Sequence, residues 1–200
     1  MDKNSKGITT ELIKELRDKT GISVMQCKKA LEETGGDMEK AVMLLQKKSA
    51  DIASKKSERR LGSGVVSSYI HATGNVGTMV ELLCETDFVA NNEEFKKLAR
   101  DIAMHATATN PQFLKTEDID EHATELAKEM FAKEVEGKPE AMKQKILEGK
   151  LASYWSERVL QDQAFIKNPE VTIKNLIQSA VQKFGENIEI SRFVRYSVSE

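Results

Sequence analysis

An α+β fold is predicted by three features of this 200-residue chain. Apolar residues recur every three to four positions in several separate stretches, as in helices buried along one side. Two other stretches, 65–84 and 188–198, alternate apolar and polar residues, as in half-buried strands. Charged residues make up 31% of the chain against 6% aromatic, a balance that favours helices with solvated faces over an all-β sandwich. At 40% hydrophobic residues, the chain can build a core.

The elements follow in order. Residues 10–48 read as three short amphipathic helices, carrying first Leu12, Ile13 and Leu16, then Met25, Ala30 and Leu31, then Met38, Ala41, Val42 and Leu45. Thr20-Gly21 and Gly35-Gly36 punctuate them. Ser23 with Gln26 three positions on forms a capping-box pattern for the second helix, and Asp37 suits the start of the third. The stretch 49–64, rich in Lys, Arg, Ser and Gly, reads as an exposed linker or a helix that frays into one. Residues 65–84 then form a hairpin, with Val76, Thr78, Val80, Leu82 and Cys84 on one face after a turn at Gly74-Asn75. A helix with Phe95, Leu98, Ala99, Ile102, Ala103 and Ala106 on one stripe follows, capped by Asn91 and Glu94 and stopped at Asn110-Pro111. From about 118 to 160 the pattern is helical and highly charged, broken at Gly137-Lys138-Pro139. Its apolar positions, Leu126, Met130, Phe131, Ile146, Leu147 and Leu151, are too sparse for burial on more than one side, so it reads as a projecting helical hairpin. Thr172 caps a helix that ends at Gly185. The alternating Ile188, Ile190, Val194, Tyr196 and Val198 read as a last strand, which needs the earlier hairpin as partner. The predicted domains are 1–50, a linker at 51–64, and a core at 65–200.

Charge and motifs exclude much. Thirty basic and 32 acidic side chains give a net charge of -2, so the chain is no polycation and RNA contact is not expected. Residues 1–63 hold 14 basic and 10 acidic side chains and the remainder 16 and 22, a split of +4 and -6 that reads as two solvated surfaces. Cys27 and Cys84 lie far apart without CxxC spacing, which argues against a disulfide scaffold and a cysteine-based zinc site. His71, His105 and His122 never fall in HExxH spacing, and neither GxxxxGK[ST] nor GxSxG occurs. No cofactor and no covalent chemistry are expected. The sequence carries no signal-peptide pattern and no apolar run approaching about 18 residues, so a cytoplasmic location is expected.

One stretch breaks the local rules. Cys84-Glu85-Thr86-Asp87-Phe88-Val89-Ala90 joins a strand to a helix, where polar residues are the norm, yet it holds Phe88 and Val89 beside Asp87. Phe88 either folds back onto the core or stands out as an apolar wedge for another protein.

At these residues the chain resembles the bacterial elongation factor Ts family, the guanine-nucleotide exchange factors of elongation factor Tu. The resemblance spans nearly the whole length. It rests on Lys14-Glu15-Leu16-Arg17, Thr20-Gly21, Cys27-Lys28-Lys29-Ala30-Leu31 and Gly36-Asp37, then on Glu85-Thr86-Asp87-Phe88-Val89-Ala90, Ile102-Ala103-Met104-His105 and Asn110-Pro111. It continues through Glu136-Gly137-Lys138-Pro139, Glu148-Gly149-Lys150, Gln163-Ala164-Phe165, Gly185-Glu186-Asn187-Ile188 and Arg192-Phe193.

The resemblance implies a ubiquitin-associated-like three-helix domain, a linker, and a core of three-stranded antiparallel sheet with flanking helices and a protruding helical hairpin. It implies that the loop Thr86, Asp87, Phe88 and Val89 enters the partner's nucleotide-binding domain and disturbs its magnesium, and that Arg17, Val24, Met25 and His105 contact the same partner. Val24 departs from the methionine common there. Short relatives act as homodimers, so a homodimer is expected. The rival reading is a ribosome- or nascent-chain-associated binding module without exchange activity.

Overall fold

The computed structural model describes residues 8–135 and 139–198, without the side chains of residues 135, 140 and 141. Of the predicted break in the helical hairpin, only Pro139 lies within the described residues. The fold is α+β. Helices α1 (Thr10–Thr20), α2 (Val24–Glu33) and α3 (Met38–Lys56) come first, followed by strands β1 (Ser63–Ile70) and β2 (Val76–Cys84). Then come a one-turn helix α4 (Asp87–Ala90), α5 (Glu93–Thr109), α6 (Glu121–Ala132) and α7 (Glu140–Ser156). Short strands β3 (Ala164–Phe165) and β4 (Asn168–Thr172), helix α8 (Ile173–Phe184) and strand β5 (Ile188–Ser197) complete the order. The main sheet is antiparallel with strand order β1-β2-β5, and β3 pairs with β4 in a second small sheet. The sequence pattern does not predict that second sheet, because strands of two and five residues show too little of a period.

The chain forms two compact units. The first comprises residues 1–65, 82–97 and 175–191. Its α1–α3 bury Ile13, Leu16, Ile22, Cys27, Ala30, Leu31, Ala41 and Leu45 against one another. Their starts are capped by Thr9, Ser23 and Asp37, whose side chains accept from Leu12, Gln26 and Lys40 N–H at 3.2, 3.4 and 3.0 Å. Helix α3 continues to Lys56, well into the segment read as a linker. Contacts with the α8 end of the chain accompany the extension: Ser49 is enclosed and its hydroxyl bonds the Gln182 amide oxygen, and Lys56 Nζ donates to the Gly185 carbonyl at 2.5 Å. The start of α5 is capped by Asn92, which accepts from Glu94 N–H at 2.8 Å, and not by the expected Asn91, which ends the preceding turn α4. Phe95 of α5 meets Phe184 of α8 edge-on at 6.0 Å.

The second unit comprises residues 66–81, 98–174 and 192–200. Helices α6 and α7 run antiparallel, since Phe131 stacks edge-on with Tyr154 at 5.7 Å while Glu134 pairs with Lys150. Only Ala127 of α6 is fully buried, whereas Leu126 and Met130 are exposed, as the sparse apolar pattern predicts.

On the expected face of β2, Thr78, Val80, Leu82 and Cys84 are buried and Val76 is half-buried. Strand β5 departs from the single-face reading. Ile188 and Ile190 are buried, but Val194, Tyr196 and Val198 are exposed while Phe193 and Arg195 are half-buried. The covered face changes along the strand, which alternation alone cannot reveal.

Candidate functional site

The Cys84–Asn92 segment owes its shape to a mixture of local and distant bonds. Asp87–Ala90 forms a single helical turn, closed by Ala90 N–H on the Thr86 carbonyl at 3.2 Å and Asn91 N–H on the Asp87 carbonyl at 2.9 Å. The Cys84 thiol donates to the Thr86 carbonyl at 3.2 Å. Burial, aided by the Glu186 charge, pushes that thiol up to about 11, so Cys84 stays protonated and serves as a donor. The turn rests on Val89 and Ala90, which are 3% and 6% exposed. Phe88 points away from that anchor and is 83% exposed. Thr86 and Asp87 are exposed with it. Of the four loop residues expected at a partner, three are therefore at the surface, and Val89 holds the loop to the core. With most of its ring open to solvent, Phe88 gains little from burial in the folded chain and keeps that apolar surface available for contact.

The three-helix module contributes a second surface in the same unit. Val24 and Met25, in the first turn of α2, are exposed, Met25 at 78%. Arg17 is exposed on α1. Its charge helps hold the Glu94 carboxyl of α5 below the usual range, an effect due chiefly to the hydrogen bond from Lys183.

His105, in the second unit, is fully buried. Its Nε2 lies 2.9 Å from Gln163 Oε1, and Ile166 N–H donates to Nδ1 at 3.3 Å. Because an amide N–H can only donate, Nδ1 must be the bare acceptor and Nε2 carries the proton. Thr109 shares the same Gln163 oxygen at 2.8 Å, and the Gln163 amide donates to the Glu157 carbonyl at 2.6 Å. Burial pushes the His105 pKa down, with Gln163 opposing. In this conformation His105 presents no surface to a partner, so any influence it has runs through the loop it braces.

Among the described residues, no group of three or more His, Cys, Asp or Glu could hold a metal ion, and no helix is long and apolar enough to cross a membrane.

A compact three-helix head of ubiquitin-associated-like type, a three-stranded antiparallel sheet with flanking helices, and an apolar residue raised on a single helical turn place the chain in the α+β class. Similarity narrows the class to one family. The family model described as Elongation factor TS matches residues 8–200. An Elongation factor Ts from Thermodesulfovibrio yellowstonii is 50% identical over 194 residues, covering 96% of this chain and 97% of that relative. Those of Thermosipho melanesiensis and Syntrophus aciditrophicus are 45% and 48% identical over 195 and 196 residues, covering 96% and 97% of this chain and 100% and 98% of theirs. The chain belongs to the elongation factor Ts family of translation elongation factors.

Proposed function

We propose that this chain binds elongation factor Tu, both with GDP and without nucleotide, and promotes replacement of GDP by GTP by disturbing the partner's magnesium site through Thr86, Asp87 and Phe88. The observation that carries the reading is Phe88, 83% exposed on a turn anchored by Val89 and Ala90. Family membership supports the choice of partner.

Magnesium demands near-octahedral coordination and bridges phosphate oxygens, so a small displacement of its ligands removes much of what holds the nucleotide. No bond is made or broken in such an exchange. What is needed is a coupling free energy. A factor that weakens GDP binding a hundredfold is itself weakened a hundredfold by GDP, about 2.8 kcal/mol each way. Burying one Phe yields about 1.5–3 kcal/mol, which barely covers the coupling before association entropy is counted. The head, through Arg17, Val24 and Met25, supplies the binding retained in both states. His105 braces the Gln163–Ile166 segment from inside. The chain itself binds no nucleotide, metal or cofactor in this scheme. The test is release of a fluorescent GDP from elongation factor Tu with and without this protein. A rate unchanged by its addition refutes the reading.

A second copy of the chain is proposed to cover the open face of the sheet. Val66, Ile70, Met79, Val194, Tyr196 and Val198 are all exposed there. Ile70, Met79, Tyr196 and Val198 line a depression of about 430 Å³. Two copies related by a two-fold axis would bring this same apolar patch of each together and cover both at once. Light scattering is expected to give twice the 22.4 kDa of one chain, and Tyr196→Asp to return the monomer. A monomeric wild type at micromolar concentration overturns this.

A further inference from the structure

The turn after α8 and the segment that carries Phe88 grip each other across a hundred residues of sequence. Gly185 closes α8 with its N–H on the Val181 carbonyl at 2.9 Å, at φ +74°, a conformation that glycine adopts without strain. The next residue turns its carboxylate onto the loop. Glu186 Oε2 accepts the N–H groups of Glu85 and Thr86 at 3.1 and 3.0 Å, and Oε1 accepts the Thr86 hydroxyl at 2.5 Å. Glu85 returns the grip. Its carboxylate accepts Asn187 N–H at 2.6 Å and the Arg59 guanidinium at 3.3 Å, bonds that hold the Glu85 pKa below the usual range, the Asn187 N–H above all.

Two further observations show that this grip is more than local tidiness. Thr86 occupies the N-cap of α4, where a threonine hydroxyl ordinarily accepts from the helix backbone, yet α4 has no side-chain cap, and the Thr86 hydroxyl is instead turned to donate to Glu186. A helix of four residues has no stability of its own, so α4 keeps its shape by what holds its ends. The same turn also holds the chain leaving α3. Lys56 Nζ donates to the Gly185 carbonyl at 2.5 Å, and the Asn187 amide donates to the Ser57 and Arg59 carbonyls at 3.4 and 3.3 Å.

We propose that Glu186 is a positioning residue for nucleotide exchange. It fixes the backbone of Glu85 and Thr86, and thereby the direction in which Phe88 leaves the surface, without itself touching the partner. The inference rests on the reading of Phe88 as the exchange wedge. Three charge-assisted bonds onto one carboxylate hold the loop before the partner arrives, so that less ordering remains to be done at the moment of contact.

The test uses the full chain with Glu186→Ala, Glu186→Asp and Glu186→Gln. Glutamine keeps the length, offers one oxygen to the two N–H groups and turns its NH2 to the Thr86 oxygen, whereas aspartate keeps the charge but is one methylene too short to reach. Two readouts are taken: amide hydrogen exchange at Glu85 and Thr86, and stimulated release of fluorescent GDP from elongation factor Tu over a concentration series. With Glu186→Ala the two amides are expected to exchange faster and the maximal release rate to fall about tenfold, with the half-saturating concentration changed less than about twofold. Glu186→Gln is expected to stay near wild type and Glu186→Asp to fall below it. If the alanine variant does not fold, that order of Gln above Asp decides the matter, because a role for charge alone reverses it. Unchanged amide exchange in Glu186→Ala, or equal loss of rate in all three variants, overturns the proposal. So does a wild-type maximal rate in Glu186→Ala, which leaves the exchange reading standing. A wild-type protein that fails to stimulate release overturns the exchange reading and the role of Glu186 together, and amide exchange then still reports whether the grip exists.

Discussion

Replacing Phe88 by alanine should separate exchange activity from stability. Fully burying a phenylalanine is worth about 1.5–3 kcal/mol. With 83% of Phe88 still open in the free chain, about 1.2–2.5 kcal/mol of that remains available for a partner. At about 1.36 kcal/mol per tenfold in rate, the loss corresponds to a stimulated GDP release slowed by about one to two orders of magnitude. The fold should not notice, because the loop is held by Val89, Ala90 and the backbone bonds to Glu186 rather than by the Phe88 ring. The melting temperature is expected within about 2 °C of wild type, as for an exposed substitution. The assay is stopped-flow release of a fluorescent GDP from elongation factor Tu at saturating factor, with thermal unfolding followed in parallel. A Phe88→Ala variant that folds normally and stimulates release at the wild-type rate refutes the reasoning.

Met25→Ala should act on affinity instead, raising the half-saturating concentration about fivefold while sparing the maximal rate; a concentration series of the same release assay checks it. His105 predicts a pH dependence of stability. Its pKa is lowered in the folded chain, so below about pH 6.5 the unfolded chain binds the extra proton first and stability falls as pH decreases. A proton on Nδ1 would confront the Ile166 N–H, two donors face to face. Urea titrations between pH 7.5 and 5 should show this loss, and His105→Gln should flatten it. In β1, a Cβ at Gly64 would lie 2.5 Å from the Leu82 carbonyl oxygen and 2.8 Å from Leu83 Cδ2. Gly64→Ala should therefore lower the unfolding free energy by about 1–3 kcal/mol, read from chemical denaturation.

The sequence alone determined what depends on local period. Helical spacing identified the head's buried residues Leu16, Ala30, Leu31, Ala41 and Leu45, and alternation identified the buried face of β2, because these patterns state directly which side of an element meets apolar neighbours. The loop at Thr86–Val89 was visible as an apolar pair where polar residues belong, and as the residues that carry the family resemblance. Its orientation was not. That Val89 anchors while Phe88 stands out depends on a helical turn whose entry is held by Glu186, and two residues a hundred positions apart leave no periodic trace of their contact. The extension of α3 to Lys56, the exchange of covered face along β5 and the burial of His105 have the same cause. Each is decided by which element packs alongside, through the Gln182 contact of Ser49 and the Gln163 and Ile166 contacts of His105. Local pattern sets which face of an element is apolar, whereas only the assembled chain decides whether that face is covered.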